Sequence, residues 1–148
     1  MSGDPANGGK PRYLLDTSAL LTFSGDEPGA DVVGVLLGKG RRGDILVYMS
    51  FLSVMEAGYI AYQARGEDGL ATIVASLQQL PLIRVDLTDE LIVLAARMKG
   101  MYRLSLADAW ILATAKQMNA TLVHKDPEFE QAASEVRLQA LSTRSPVR

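Results

Sequence analysis

Four acidic residues stand beside apolar segments of this chain: Asp16 in Tyr-Leu-Leu-Asp-Thr-Ser, Glu56 in Ser-Val-Met-Glu-Ala, Asp108 in Leu-Ala-Asp-Ala-Trp and Asp126 in Leu-Val-His-Lys-Asp-Pro. A carboxylate next to buried residues is costly unless a cation or a hydrogen-bond donor compensates it. Carboxylate oxygens are hard ligands that suit Mg²⁺ or Mn²⁺. One or two such ions can polarise a phosphoryl oxygen, lower the pKa of a water and stabilise a leaving oxygen. Brought together, Asp16, Glu56, Asp108 and Asp126 therefore outline a site for metal-dependent phosphodiester hydrolysis, each acid acting as metal holder and catalytic group. Without a cation they would repel one another, and at least one pKa would rise. Thr17 and Ser18, directly after Asp16, are placed to hold the first carboxylate or a bound water by hydrogen bonding.

Each acid also has a structural use. Asp16 can cap the helix that follows it. Ser53 with Glu56 has the spacing of a capping box, and Ser105 with Asp108 is similar. Asp126 before Pro127 is a natural turn pair. Capping asks nothing of the four acids as a set, so the two readings separate on whether the acids meet at one edge of the fold. His124 is the sole histidine. It ends an apolar run and reads as a partly buried, hydrogen-bonded side chain rather than a general base. Trp110 is expected in the core or at its rim, with stacking on an RNA base as the alternative. Tyr59 and Tyr62 fit core packing or a subunit interface equally well.

The elements that must position these groups are short apolar strands alternating with helices. Strands are expected at residues 13–15, 45–49, 82–85 and 121–124, with a weaker fifth at 136–138. Helices are expected from Thr17 or Ser18 to Phe23, over 31–37, from Ser50 through Tyr59, over 70–77, from Thr88 through Met98, and from Ser105 through Ala115. Gly66 to Gly69 punctuates between the third and fourth of these. This alternation predicts an α/β domain with a parallel sheet of four to five strands covered by helices on both faces. Sites in such sheets form at the carboxyl ends of the strands. Asp16 ends the first strand, Asp126 follows the fourth, and Glu56 and Asp108 fall in the first turns of helices.

A chain of 148 residues with 48% apolar content can bury one sizeable core, and 22% charged residues exclude an intrinsically disordered chain. Residues 1–11 read as a flexible tail, 12–141 as the folded domain and 142–148 as a frayed end. No apolar run reaches the length of a membrane span, and the N-terminus lacks a secretory pattern. The absence of cysteine removes disulfides and thiolate chemistry and suits a cytoplasmic location. A net charge of -2 argues against binding nucleic acid through bulk electrostatics. Two local basic clusters exist, Lys39, Arg41 and Arg42 in an expected loop, and Arg97, Lys99 and Arg103. They read as solvated surface or as phosphate contacts flanking the acids.

The run Leu14-Leu15-Asp16-Thr17-Ser18, then Glu56, then Ser105-Leu106-Ala107-Asp108-Ala109, then Asp126 with Phe129, resembles a PIN-domain ribonuclease. The likeness is nearest to VapC-type toxins of prokaryotic toxin–antitoxin pairs and covers nearly the whole chain. It implies an α/β/α sandwich and an Mg²⁺- or Mn²⁺-dependent endoribonuclease leaving 5′-phosphate and 3′-hydroxyl ends. It also implies Asp16, Glu56 and Asp108 as principal acids, Asp126 as the fourth, and Thr17 or Ser18 in support of the first. A VapB-like antitoxin covering the acidic groove, and a homodimer, are the implied partners. Where many relatives carry a small residue shortly before the fourth acid, this chain has His124-Lys125. That leaves water-mediated ligation open for Asp126, and offsetting of negative charge, phosphate contact or solvent exposure for Lys125.

Two other readings compete. A phospho-receiver domain needs paired acids near the first strand, and this strand supplies only Asp16; aspartyl-nucleophile hydrolases show Asp-x-Asp, where this chain has Asp16-Thr17-Ser18. A catalytically idle PIN fold, serving as an RNA-binding module or scaffold, would gain from losing negative charge near phosphate, yet all four acids are present.

Overall fold

The computed structural model describes residues 9–144, so the tails expected at 1–11 and 142–148 fall mostly outside the described residues. The elements run β1 (Arg12–Leu15), α1 (Thr17–Ser24), α2 (Ala30–Arg42), β2 (Leu46–Ser50), α3 (Phe51–Gln79), β3 (Ile83–Val85), α4 (Asp89–Met101), α5 (Leu106–Gln117), β4 (Thr121–His124), a 3-10 helix (Pro127–Ala132) and β5 (Leu138–Ala140). The five strands form one sheet in the order β3-β2-β1-β4-β5, every pair parallel.

Side chains of a strand alternate between faces, and both faces are apolar here. Leu14, Tyr48 and Leu122 pack on one side with residues of α4, α5 and the 3-10 helix, such as Leu91, Met98, Ile111, Leu112 and Phe129. Leu15, Val47, Met49 and Val123 pack on the other with Ala19, Leu20, Val33, Leu36 and Leu77 of α1, α2 and α3. The result is the expected α/β/α sandwich. β1 is its central strand, and the chain turns outward from β1 to β2 on one side and to β4 on the other. The crevice between the ends of β1 and β4 is the switch point where such sheets build sites.

Three expectations are corrected. The second helix does not stop at residue 37 but runs on to Arg42 through Gly38 and Gly40, where Gly43 in the left-handed conformation ends it (φ 82). Lys39, Arg41 and Arg42 are thus in a last helical turn, not a loop, and they complement the negative end of the helix dipole. Since α2 leads into the start of β2, and Leu46 pairs with Arg12 at the start of β1, this cluster is at the edge opposite Asp16. It does not flank the acids. Finally, the fifth strand lies at Leu138–Ala140 rather than 136–138, after a 3-10 helix that the sequence pattern did not announce.

The break expected at Gly66 to Gly69 is real. Gly66 adopts φ 65 and ψ -150 and divides α3 into two arms, a conformation open only to glycine. Three residues on, the arms touch: a Cβ on Gly69 would lie 2.5 Å from the Ala61 carbonyl oxygen and 2.7 Å from the Arg65 Cβ. Gly69→Ala is therefore expected to lower stability by about 1–3 kcal/mol through overpacking. Gly100→Ala in α4, with nothing within 4 Å of its added Cβ, is expected to raise stability by up to about 1 kcal/mol through helix propensity. Urea unfolding of both variants checks this, and an unchanged Gly69→Ala midpoint would contradict the close approach.

Candidate active site

Asp16 follows the last residue of β1, and its backbone N–H donates to the Val123 carbonyl at 3.0 Å, fixing the acid beside the end of β4. Its carboxylate caps α1. The Ser18 hydroxyl donates to Oδ2 at 2.6 Å, with the Ser18 N–H at 3.4 Å from the same oxygen. Ser18 Oγ in turn accepts the Lys125 N–H at 3.2 Å, which ties the first acid to the turn that carries the fourth. Thr17 faces the other way. It donates to Glu56 Oε1 at 2.7 Å, and its oxygen lies 2.9 Å from Ser53 Oγ. The support expected from Thr17 or Ser18 is thus divided: Ser18 holds Asp16 and Thr17 holds Glu56.

Glu56 reaches this point because α3 begins against the end of β2. Ser50 caps the helix by accepting the Leu52 N–H at 3.2 Å, so Ser53 lies inside the helix and the Ser53–Glu56 capping box is not formed. In α5 the cap is as expected, with Ser105 Oγ accepting the Asp108 N–H at 3.1 Å. Asp108 therefore projects from a first helical turn, where the dipole favours negative charge. Asp126 accepts the Glu128 N–H on Oδ1 at 2.9 Å and starts the 3-10 helix. Asp16 and Asp126 thus both cap helices, and each is linked by charge to Asp108.

Asp108 is the hub. Its pKa is raised, first by burial and then by Asp126, Glu56 and Glu128, against a lowering hydrogen bond from Ser105. Asp16 is 5% exposed, and its pKa is pushed up from the ordinary 3.8 to about 6. Burial is the main cause, opposed by the Ser18 hydroxyl and reinforced by the charge of Asp108. Carboxylate oxygens of Asp108, Asp126 and Glu128 lie within 4.8 Å of one another. The sequence reading missed Glu128 because the 3-10 helix was not anticipated. Its signal was the spacing of two from Asp126 across a proline. A donor set made only of carboxylates fits a hard divalent cation.

His124 is fully buried behind this cluster. Its Nδ1 accepts the Asp126 N–H at 3.1 Å, its ring meets Phe129 edge-on at 5.2 Å, and Nε2 is 3.4 Å from Glu130 Oε1. Burial lowers its pKa against the opposing pull of Glu130, so the ring is neutral with its proton on Nε2. It braces the turn. Trp110 is half-buried at the rim of the core and edge-on to Phe51 at 5.7 Å. Lys125 extends toward Glu27, its Nζ 4.0 Å from Oε2, rather than into open solvent.

Comparison with known proteins adds an independent line. The PIN-domain family model matches residues 13–135, which spans every one of these acids. The chain belongs to the PIN-domain family. No curated protein sequence matches it. Its fold is shared with solved structures. VapBC2 from Rickettsia felis bound to a promoter DNA fragment gives a TM-score of 0.70 at 17% identity, covering 88% of this chain and 99% of that one. DNA-bound VapBC from Salmonella typhimurium gives 0.68 at 17% identity, covering 88% and 98%. VapC20 from Mycobacterium tuberculosis, a Sarcin-Ricin loop cleaving toxin, gives 0.58 at 14% identity, covering 90% and 99%.

The raised pKa of Asp16 has a consequence for the stability of this PIN domain without metal. Between about pH 4 and pH 6 the folded chain keeps a proton that the unfolded chain has released, so stability falls as pH rises through that window. A rise from 3.8 to about 6 corresponds to about 3 kcal/mol, lost as the pH passes above 6. In EDTA, Asp16→Asn is expected to be more stable than wild type at pH 7.5, by up to that amount, and to lose the advantage near pH 4.5. Thermal melts at the two pH values test this. An Asn variant equally destabilised at both would show that the ionised carboxylate is not under strain.

Proposed function

We propose that this PIN domain is an endoribonuclease that requires Mg²⁺ or Mn²⁺ and acts as the toxin of a toxin–antitoxin pair in the cytoplasm. The observation that carries the reading is the convergence of Asp16, Glu56, Asp108 and Asp126 at the carboxyl edge of the sheet, with Asp108 feeling the charges of Asp16, Glu56 and Asp126. These four acids would hold the cation, which when bound neutralises the scissile phosphate, activates water and stabilises the leaving 3′-oxygen.

The chain's own residues keep those acids in place beforehand. Ser18 locks the Asp16 carboxylate, Thr17 locks Glu56, and the Ser105 cap sets the register from which Asp108 projects. Such fixed donors and acceptors remove reorganisation from the reaction. The toxin reading draws support from the shared fold with VapBC complexes. A VapB-like antitoxin offering a basic side chain to these acids would silence the site. The homodimer reading is supported by a groove of about 960 Å³ along α3, lined by Phe51, Met55, Tyr59, Tyr62 and Leu87. Tyr59 and Tyr62 are half exposed there, so of the two uses open to them, core packing and an interface, core packing is not the one they take.

Cleavage of end-labelled structured RNA, a Sarcin-Ricin stem-loop among the substrates, tests the activity. Mn²⁺-dependent cuts are expected that vanish with EDTA and fall by at least about 10³-fold in Asp108→Asn, in line with loss of a metal-based electrostatic contribution. Thr17→Val is expected to weaken cleavage more mildly, because Glu56 remains but is no longer held. Cutting that survives EDTA and Asp108→Asn would contradict the carboxylate mechanism. Mn²⁺ binding without cutting of any RNA would favour the idle scaffold. For the dimer, Tyr62→Glu is expected to halve the mass measured by light scattering while helix content is unchanged.

A further inference from the structure

We propose that His124 is a positioning residue of this site: its Nδ1, and not the bulk of its ring, sets where Asp126 stands; this rests on the metal-dependent reading above. Only Lys125 and Asp126 join the end of β4 to the 3-10 helix. Both N–H groups of this link go to side chains. Ser18 Oγ accepts the Lys125 N–H at 3.2 Å, and His124 Nδ1 accepts the Asp126 N–H at 3.1 Å. A main-chain N–H outside a ladder must still find an acceptor when it is shielded from water, and a side chain that supplies one fixes the peptide's direction. The fourth acid therefore hangs from two side chains, and His124 holds the peptide of the acid itself.

An acceptor can position a neighbour only if it is itself fixed. His124 pairs with Ala140 in the sheet, and its carbonyl accepts the Leu141 N–H at 2.8 Å. Its ring is 1% exposed and lies edge-on to the fully buried Phe129 at 5.2 Å. Close packing of this kind gives the ring one place to stand. Sheet and core thus transmit their rigidity through one imidazole to the peptide that carries Asp126.

Packing alone does not call for a nitrogen here, since phenylalanine would fill the same space beside Phe129. The nitrogen is used. A ring nitrogen that accepts an N–H carries no proton, so the proton of the neutral ring is on Nε2, which lies 3.4 Å from Glu130 Oε1. The partner of one ring nitrogen decides which form the other presents. Glu130, at the outer side of the ring, therefore favours the tautomer that leaves Nδ1 free to accept. Losing that acceptor would strand the Asp126 N–H and let the link settle elsewhere.

Calorimetric Mn²⁺ titration of the full-length protein, with thermal melts in EDTA, tests this on His124→Asn, His124→Gln and His124→Phe. The Asn side chain can place its oxygen where Nδ1 stands; Gln reaches instead to the Nε2 position, and Phe keeps the bulk without an acceptor. Groups that orient the ligands of a metal are typically worth 10–100-fold in affinity, so Gln and Phe are expected to weaken Mn²⁺ at least about tenfold and Asn by less than about threefold. Phe is expected to melt above Asn, so that affinity and stability run in opposite orders. Wild-type affinity in Gln and Phe would overturn the proposal, as would an Asn variant as weak as both. Long-range ¹H–¹⁵N spectra of the metal-free protein are expected to show Nδ1 unprotonated and Nε2 protonated; the reverse tautomer would overturn the proposal without touching the metal-dependent reading. A wild type with the expected tautomer that binds no Mn²⁺ would overturn that reading, and this inference with it.

Discussion

Mutual repulsion among carboxylates held at one edge of the sheet is the constraint around which this fold is arranged. Asp16, Glu56, Asp108, Asp126 and Glu128 come from five separate stretches of the architecture: the end of β1, α3, α5, the turn after β4 and the 3-10 helix. Gathering them opposes folding: the pKa of both Asp16 and Asp108 rises, chiefly through burial and further through the charge of neighbouring acids. What offsets the repulsion is local and specific. Asp16 and Asp126 sit at helix N-caps, Asp108 sits in a first helical turn, and Ser18 and Thr17 each give a hydroxyl proton to one carboxylate. Helix N-termini and hydroxyl donors stabilise negative charge without neutralising it.

The rest of the molecule serves this edge. Because β1 is central and both its faces are covered, Asp16 is buried at the switch point between β1 and β4. The bond from the Asp16 N–H to Val123 and the bond from the Lys125 N–H to Ser18 knit the two strand ends together. His124 braces the same turn from within the core. A histidine here, where a small residue would leave a void, fills the space above Phe129 and accepts the Asp126 amide. The basic cluster of α2 takes no part, being at the far edge.

Much of this was legible in the sequence. The strands are continuous apolar runs, and Ser50, Thr88 and Ser105 proved to be caps because a hydroxyl before an apolar-periodic stretch has few other uses there. The four acids could be ordered because each followed such a run or cap. What escaped was contact geometry. Gly40 reads as a helix breaker, yet it sits inside α2 where a Cβ would meet Val47 at 3.0 Å, so closeness to the sheet outweighs propensity. Ser53 and Glu56 have capping-box spacing, but the helix had already begun at Phe51, and both side chains turn to Thr17 instead. Tyr59 and Tyr62 have core-like periodicity and yet lie outside the core, half exposed along a groove that the second arm of α3 also lines with Leu70 and Val74. Glu128 follows a proline in what reads as a turn, and only the 3-10 helix brings it back to Asp108.

The most direct measurement of the central idea is a crystal structure of the Mn²⁺-soaked protein with the metal located by anomalous scattering. A peak bounded by Asp16, Glu56, Asp108 and Asp126 is expected, with oxygens near 2.0–2.6 Å. Saturating Mn²⁺ with no peak among these acids, or with peaks only elsewhere on the surface, would contradict the claim that their convergence exists to hold a cation.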